Sequence, residues 1–334
     1  MITHVRFQNF KALKNAELKL GAFNVIIGPN GSGKSSVLQG LEAMGNPAIV
    51  NWKETVTAGA PGDSASILLK FQDSTRIKKL GFIGSKNVIP HVVDEENSPG
   101  MVLGLNGDEQ STLKGIRIFS FQAAFMTNPV DPELYGPLNS DGSNLAQAIT
   151  FLRDKDEDAY NALRAEMQQW IPEYDGIGFD LEENNRRKLT LRQKISRKQI
   201  PASQLSEGTL LALALLTIVH QPDAPTLIGL EEPDRGLHPR LLRELRDALY
   251  RLSFPANFGI ERPTIQVVIT THSPLFLDLF KDHPEQVIIA EKSADGSATF
   301  KNLSDDAQLR EIIGDAPLGE VWYSGILGGV PVAA

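Results

Sequence analysis

The sequence predicts an α/β fold in which helices flank a mixed sheet. Three five-residue runs, at 23–27, 226–230 and 265–269, have the nearly continuous apolar character of buried strands. The first run leads into a helical pattern that ends at Gly45. The second is followed by an amphipathic pattern with leucines at 241, 242, 245, 249 and 252. Buried strands that alternate with helices are typical of this fold class.

Composition narrows the class of protein. The chain has 334 residues, of which 41% are apolar and 22% charged, as in globular proteins that fold in water. It contains no cysteine, which excludes disulfides, zinc–thiolate sites and a cysteine nucleophile. No apolar run approaches the ~20 residues of a membrane span, so we expect a cytoplasmic protein with no membrane partner. The net charge of −8 does not favour nucleic-acid binding, although a local basic patch would suffice for it.

The stretch from Gly28 to Ser35, Gly-Pro-Asn-Gly-Ser-Gly-Lys-Ser, is a candidate phosphate-binding loop, called the glycine loop below. It lies between a predicted strand and a predicted helix, which is the context that this motif requires. Its glycines let backbone N–H groups point at phosphates, Lys34 would reach the β- and γ-phosphates, and the Ser35 hydroxyl would bind Mg²⁺. The alternative is an ordinary turn between a strand and a helix. We expect ATP and Mg²⁺ as ligands.

Two acidic residues end the second apolar run. At a strand end beside the glycine loop, one acid can hold Mg²⁺ together with Ser35, and a second can accept the proton of the attacking water. We assign the metal to Glu231 and the general-base role to Glu232. A Ser-x-Gly turn at 206–208 precedes a third helical pattern. Such a turn can bind an anion, and it is also an ordinary helix N-cap.

Four motifs in this order resemble the RecF, SMC and OLD-type (overcoming lysogenization defect) ATPases of the ABC superfamily. They are the glycine loop with the segment 5–13 ahead of it, Leu-Ser-Glu-Gly-Thr at 205–209, Glu-Glu-Pro-Asp-Arg-Gly-Leu-His-Pro at 231–239, and Thr-Thr-His at 270–272. The resemblance implies a P-loop NTPase of the ABC head type, ATP hydrolysis, and a head-to-tail homodimer or higher oligomer. Members without coiled-coil arms occur as stand-alone AAA-type ATPases in prokaryotic defence systems.

The resemblance also implies which residues hold the nucleotide. Lys11 would assist from the opening segment, and a solvated lysine on a turn is the alternative for it. His272 would contact the γ-phosphate and the attacking water, which makes Glu232, His272 and Lys34 the catalytic set. A glutamine would help to hold Mg²⁺, with Gln122 as the candidate and Gln72 as the second choice. The loop residues that would bind nucleotide are Asn30, Gly31, Ser32, Gly33, Lys34, Ser35 and Ser36.

A second set of residues would act across the dimer. By the resemblance, Asp234 would face the opposite protomer. The signature loop, as we call residues 206–209, would cap the γ-phosphate of the nucleotide that the other protomer holds. Two of its positions, Glu207 and Thr209, depart from the family pattern, as does Glu231, where aspartate is usual. The signature loop consists of Ser206, Glu207, Gly208 and Thr209.

The spacing of the motifs indicates how the head is organised. Only 172 residues separate Lys34 from Ser206 and no sustained heptad repeat occurs there, so no coiled-coil arm is expected. We predict one ABC-type head over 1–334. Within it we place an antiparallel β lobe with a loop insertion at 46–135 and an inserted helical lobe with a basic hairpin at 136–200. Residues 201–334 would hold the signature, the acids, the histidine and a tail with one helix at 305–313.

The basic hairpin is the second feature with a functional reading. Its second arm runs from Arg186 to Lys198 after a predicted turn at 184–185, and seven of these thirteen residues are basic. One interpretation is a solvated sheet face whose Leu189, Leu191 and Ile195 point to the core. The other is a contact with DNA or with a partner protein.

Three functional hypotheses follow from these motifs. The first is a dimeric ATPase that gates a separately encoded effector, such as a nuclease, in prokaryotic defence. The second is a RecF-like DNA-repair clamp that binds DNA directly through the basic hairpin. The third is the nucleotide-binding subunit of a transporter, which the opening strand pair and the Leu-His-Pro loop disfavour. In the apolar tail, Trp322 and Tyr323 would dock on the body of the protein or on a partner.

Overall fold

The chain forms two compact units. The first holds Met1–Ile118, Pro225–Glu231 and Thr264–Ala334, and the second holds Phe119–Ala224 and Glu232–Pro263. The computed structural model describes residues 1–46, 52–58, 60, 64–72, 77–83, 91–94, 106–131, 136–181, 186–293, 295–305, 314 and 316–328. The predicted turn at 184–185 and most of the predicted helix at 305–313 lie outside these residues. Within them, no helix is both long and apolar enough to cross a membrane.

The described elements alternate in type along much of the chain. The strands are β1 (Ile2–Phe10), β2 (Leu13–Lys19), β3 (Phe23–Ile27), β4 (Ser64–Phe71), β5 (Ile77–Ile83), β6 (His91–Asp94), β7 (Ile116–Phe119), β8 (Tyr174–Leu181), β9 (Arg187–Gln193), β10 (Gln199–Pro201), β11 (Leu227–Glu231), β12 (Gln266–Thr271), β13 (Val287–Lys292) and β14 (Ala298–Asn302). The helices are α1 (Lys34–Gly45), α2 (Trp52–Thr55), α3 (Gly107–Lys114), α4 (Ala123–Met126), α5 (Leu145–Lys155), α6 (Glu157–Trp170), α7 (Glu207–His220), α8 (Leu241–Ser253), α9 (Pro274–Leu277) and α10 (Leu318–Tyr323).

The central sheet of the first unit has the order β14-β13-β3-β12-β11-β7. Its inner strands β13, β3, β12 and β11 are parallel, and β14 pairs antiparallel with β13. All five residues of β3 and all six of β12 are buried, as continuous apolar runs require in a parallel sheet covered on both faces. The predicted α/β fold with a mixed sheet and flanking helices is confirmed.

Helix α1 lies between this sheet and an antiparallel sheet of order β2-β1-β4-β5-β6. On one side, a Cβ added to Gly40 of α1 would lie 2.3 Å from the ring of Phe7 in β1. On the other side, a Cβ added to Gly229 of β11 would lie 3.0 Å from the side chain of Leu38 in α1. Two close contacts on opposite faces fix the helix, and therefore fix where its first residue, Lys34, sits.

The second unit is built around α7, which is apolar on every side. All its residues from Thr209 to Val219 are buried, so only its ends carry exposed polar groups. A carboxylate links three helices here. Glu166 of α6 has Oε2 2.8 Å from Nε2 of His220 in α7, and it accepts a 2.5 Å hydrogen bond from Nη2 of Arg251 in α8.

This triad makes the stability of the second unit depend on pH. Burial raises the pKa of the Glu166 carboxyl, but hydrogen bonds and charge from His220 and Arg251 outweigh burial, so the pKa lies below its ordinary 4.5. A carboxyl whose pKa is lower in the folded than in the unfolded state contributes its full stabilisation at pH values above the unfolded pKa. That stabilisation is lost as the pH falls through the folded pKa.

We expect Glu166→Gln to lower the free energy of unfolding by about 3 kcal/mol at neutral pH, because it leaves the other two groups without a buried counter-charge. The difference from the native protein should shrink well below pH 4.5. Denaturant titrations at both pH values measure it. Asp247→Asn is the control, because its carboxylate pairs with Arg246 at the surface and is 45% exposed. A difference that does not change with pH would contradict this role of Glu166.

The basic hairpin folds differently from its prediction at the tip. Leu189 and Leu191 are buried as expected, but Ile195 is 95% exposed, so its predicted core position is wrong. The reason is that β9 ends at Gln193, and the alternation of the strand stops before Ile195. Two of the basic residues are also neutralised. Arg192 donates a 2.7 Å hydrogen bond to Asp175, and Arg197 pairs with the same carboxylate, which together hold the pKa of Asp175 below its ordinary value.

Candidate functional site

The glycine loop connects β3 to α1 in a conformation that needs its glycines. Gly31 has φ +75° and Gly33 has φ +86°, in the left-handed region that side chains disfavour. At Gly28 the constraint is contact, because a Cβ there would lie 2.2 Å from the carbonyl oxygen of Ala290. The loop is therefore held tightly against the sheet, and substitution of any of these three glycines would move its backbone.

Lys34 is the buried charge of this loop. Its side chain is 5% exposed, and Nζ donates 2.9 Å hydrogen bonds to the carbonyl oxygens of Gly28 and Pro29. The lysine thus curls back under its own loop, with its charge held at the start of α1. Other loop residues face outward, since Asn30, Gly31 and Ser35 are exposed and Ser36 is half-buried, while Ser32 is buried.

Three strands carry the predicted residues to one edge of the sheet. Thr271 pairs with Ile27, and Thr270 pairs with both Ile26 and Glu231. Because these strands are parallel, their carboxyl ends meet at the same edge. The structure therefore places the glycine loop, Glu231 and the segment with His272 side by side at this edge. Glu231 and His272 are both half-buried.

Glu232 follows directly after β11 and has a rare backbone conformation. Its φ is +45°, a left-handed value in a residue with a full side chain. Such a conformation costs of order 1–3 kcal/mol and is concentrated at functional sites. The next residues form a turn, in which the N–H of Arg235 donates to the carbonyl of Glu232 at 3.0 Å and that of Leu237 donates to Asp234 at 3.2 Å.

The signature loop forms the start of α7. The Ser206 side chain caps the helix by accepting a 3.1 Å hydrogen bond from the N–H of Thr209. Ser206 and Glu207 are exposed, Gly208 is half-buried and Thr209 is buried. A Cβ on Gly208 would lie 2.4 Å from the carbonyl oxygen of Gly236, which explains why the chain needs glycine at 208.

A cleft of about 320 Å³ borders this loop within the second unit. Ser206 and Gly208 form part of its wall, with Trp170, His238 and Arg240 on other sides. Nothing in the sequence pattern indicated this cleft, because its lining residues come from separate parts of the chain.

The second-choice glutamine of the predicted Mg²⁺ site, Gln72, lies far from the glycine loop. Gln72 is wrong as a phosphate sensor. The backbone N–H of Gln72 donates to the carbonyl of Met1. Ile2, which follows Met1, donates its N–H to the side chain of Gln266, the first residue of β12. His272 follows the other end of that strand, ~16 Å away at about 3.3 Å per residue.

Gln122 and Lys11 lie at turns. Gln122 is exposed, precedes the short helix α4, and donates its N–H to the carbonyl of Asp141 at 3.1 Å. Lys11 has φ +52°, and its Nζ donates a 2.7 Å hydrogen bond to Gln39 of α1. Gln39 lies five residues into α1 from Lys34, about 7.5 Å along the helix axis.

One contact near the site was not indicated by any sequence motif. Nη2 of Arg235 lies 3.4 Å from Oε1 of Glu207, and both side chains are exposed. The only signal in the sequence was that Glu207 departs from the family pattern in the signature loop.

Comparison with known proteins finds two ATPase-domain models that match separate parts of the chain. The model for the AAA ATPase domain matches residues 1–93, and the model described as AAA domain, putative AbiEii toxin, Type IV TA system, matches residues 120–278. Each model matches less than half of the chain, and both describe AAA-type ATPase domains, which agrees with the ATPase motifs in the sequence. These matches support nucleotide binding and ATP hydrolysis by the chain.

Several other proteins are similar to parts or most of this chain. A curated relative, the probable sulfate/thiosulfate import ATP-binding protein CysA of Chlorella vulgaris, is 33% identical over 99 residues, which are 28% of this chain and 36% of the relative. The SMC head domain from Thermotoga maritima is 15% identical with a TM-score of 0.49, and covers 90% of this chain and 98% of its own. A recombination mediator protein RecF is 14% identical with a TM-score of 0.46 and the same coverage.

Proposed function

We propose that two copies of this ATPase close head to tail around two ATP molecules, and that each site combines one copy's glycine loop with the other's signature loop. The start of α7 carries this proposal. Ser206 and Glu207 are exposed while Thr209 to Val219 are buried, so the helix presents its first turn at the surface. This exposed first turn has a serine and, at 208, a glycine that leaves no room for a side chain. Such a turn suits a contact with a phosphate from outside the chain.

The residues at the sheet edge suit Mg²⁺. Magnesium prefers oxygen ligands and usually takes one or two from protein side chains, with water and phosphate completing its shell. The exposed hydroxyl of Ser35 and the carboxylate of Glu231 would supply these two. Among the described residues, no cluster of three or more His, Cys, Asp or Glu side chains is arranged to hold a metal. The ion would neutralise charge on the phosphates.

We assign the chemistry of hydrolysis to the same edge. Lys34 would hold the β- and γ-phosphates, Glu232 would accept the proton of the attacking water, and His272 would orient that water beside the γ-phosphate. The strained backbone at Glu232 supports its role, since strain of this kind is maintained where a side chain must be aimed.

Ser206→Arg tests the composite site. The arginine would block the signature loop without touching the glycine loop, so a single protomer should bind ATP as the native protein does while turnover falls at least ~100-fold. Fluorescent-nucleotide titration measures ATP binding, and a phosphate-release assay measures turnover. Ser111→Arg, on the exposed face of α3, is the control.

Mixing makes this test specific. Lys34→Ala is expected to bind ATP poorly while keeping a native signature loop. An equal mixture with Ser206→Arg should therefore recover about a quarter of native activity, because half of the dimers are mixed and each mixed dimer has one complete site. No recovery would contradict a site shared between two copies.

We propose that dimer opening and closing gates a separately encoded effector in prokaryotic defence. One family model that matches the chain is described by a putative toxin of a toxin–antitoxin system, which supports a role of this kind. A partner surface is available beside His272. Helix α10 packs on α9, where the N–H of Gly319 donates to Asp278 at 2.6 Å, and Trp322 is buried while Tyr323 and Ile326 are exposed.

The second candidate function is a DNA-repair clamp, favoured by the tip of the basic hairpin. Ile195 is exposed there between the exposed Lys194 and Lys198, a combination that suits insertion into a DNA groove. Salt-sensitive, ATP-dependent binding of duplex DNA by the purified chain would favour the clamp. Activation of the product of a neighbouring gene by the ATP-bound dimer, without DNA binding by the chain alone, would favour the effector.

A further inference from the structure

Arg235 and Glu207 form an ion pair that is easily exchanged. Nη2 of Arg235 lies 3.4 Å from Oε1 of Glu207, and the side chains are 64% and 48% exposed. Exposed pairs of this kind contribute little to stability, because water and salt compete for both charges. The guanidinium can therefore leave this carboxylate for a stronger anionic partner.

Backbone contacts place Arg235 between Glu232 and the signature loop, the two groups to which the proposed function assigns hydrolysis. Its N–H donates to the carbonyl of Glu232 at 3.0 Å. The next residue, Gly236, has its carbonyl oxygen 2.4 Å from where a Cβ on Gly208 would lie, so the turn packs directly on the first turn of α7. Arg235 is thus held at the signature loop by backbone contacts, while its side chain is free to reorient toward an incoming anion.

Chemistry indicates which anion it would take. The planar guanidinium presents paired N–H donors that match phosphate better than a single carboxylate at 3.4 Å. Glu207 stands where the family resemblance expects glycine, and its carboxylate gives Arg235 an internal anionic partner.

We propose that Arg235 contacts the γ-phosphate of the nucleotide held by the second copy, and that Glu207 holds Arg235 until that phosphate arrives. The inference rests on the composite site proposed above and adds a catalytic residue to it. Arg235 stabilises the negative charge of the transferring phosphoryl group, and Glu207 sets a threshold for closing the dimer.

Arg235→Ala tests the first part. We expect ATP binding by single protomers to stay within about twofold of native, and turnover to fall about 1,000-fold, as for a phosphate-contacting arginine. An equal mixture with Lys34→Ala should recover about a quarter of native activity, because the mixed dimer joins an intact glycine loop to an intact Arg235. Arg243→Ala, exposed on α8, is the matched control and should turn over ATP as the native protein does.

The mixture of Ser206→Arg with Lys34→Ala distinguishes failure of the composite site from failure of the role proposed for Arg235. If that mixture recovers activity and the Arg235→Ala mixture does not, Arg235 does not act across the dimer and the inference fails alone. If neither mixture recovers, the composite site itself fails.

Glu207→Gln tests the second part through assembly rather than turnover. Placed in the Glu232→Gln background, it should lower the ATP concentration needed for half-maximal dimerisation several-fold, measured by light scattering. An unchanged or raised ATP requirement would show that Glu207 does not restrain Arg235.

Discussion

Lys34→Ala should weaken ATP binding at least ~100-fold, because a charge-assisted hydrogen bond contributes about 1.5–3 kcal/mol and this ammonium makes more than one. Lys34 is 5% exposed and already bonds the carbonyls of Gly28 and Pro29 at 2.9 Å. Its charge is therefore held beneath the loop, where the phosphates would lie. Isothermal titration with ATP measures the affinity, and far-ultraviolet circular dichroism checks that the fold is kept.

Lys14→Ala is the control for this loss of charge. Lys14 pairs with Asp295 at 3.1 Å on the surface of the same unit, and both side chains are well exposed. Removing it should leave ATP affinity within about twofold, because exposed pairs contribute little. Tight ATP binding by Lys34→Ala would contradict the assignment of the glycine loop.

Glu232→Gln should bind ATP with native affinity and hydrolyse it about 10²–10⁴-fold more slowly. Glutamine keeps the size of the side chain and its hydrogen-bonding reach, but it cannot accept a proton from water. The φ of +45° at this residue is expected to persist, since the turn from Glu232 to Arg235 is closed by a backbone hydrogen bond that the substitution does not touch. Single-turnover phosphate release and a nucleotide titration separate the chemical step from binding.

Glu261→Gln provides the matched control, because it makes the same change at an exposed position of the same unit. It should turn over ATP at the native rate. Native turnover by Glu232→Gln would move the general base to another residue.

The fold and the edge residues could be predicted because their signals are local. The glycine loop is one stretch of chain, and Glu231 and His272 each follow an apolar run that ends there. Parallel pairing then brings these strand ends together without further information. The roles of these residues in binding and hydrolysis stay predictions.

Other features depended on contacts that no local pattern encodes. Gln72 follows a strand as a phosphate sensor would, but antiparallel pairing of β4 with β1 carries it to the opposite edge of the unit. Ile195 continued an apolar alternation that the end of β9 interrupts. Arg235 meets Glu207 across 28 residues of sequence, through a close approach of two glycines that only the folded chain reveals.

The claim that two copies share each nucleotide is tested most directly by the mass of Glu232→Gln in solution. Blocking hydrolysis should trap the closed state, since ATP then remains between the glycine loop of one copy and the signature loop of the other. Light scattering should report the 36.5 kDa monomer without nucleotide and twice that mass with saturating ATP. A species of 36.5 kDa with ATP bound would contradict the account.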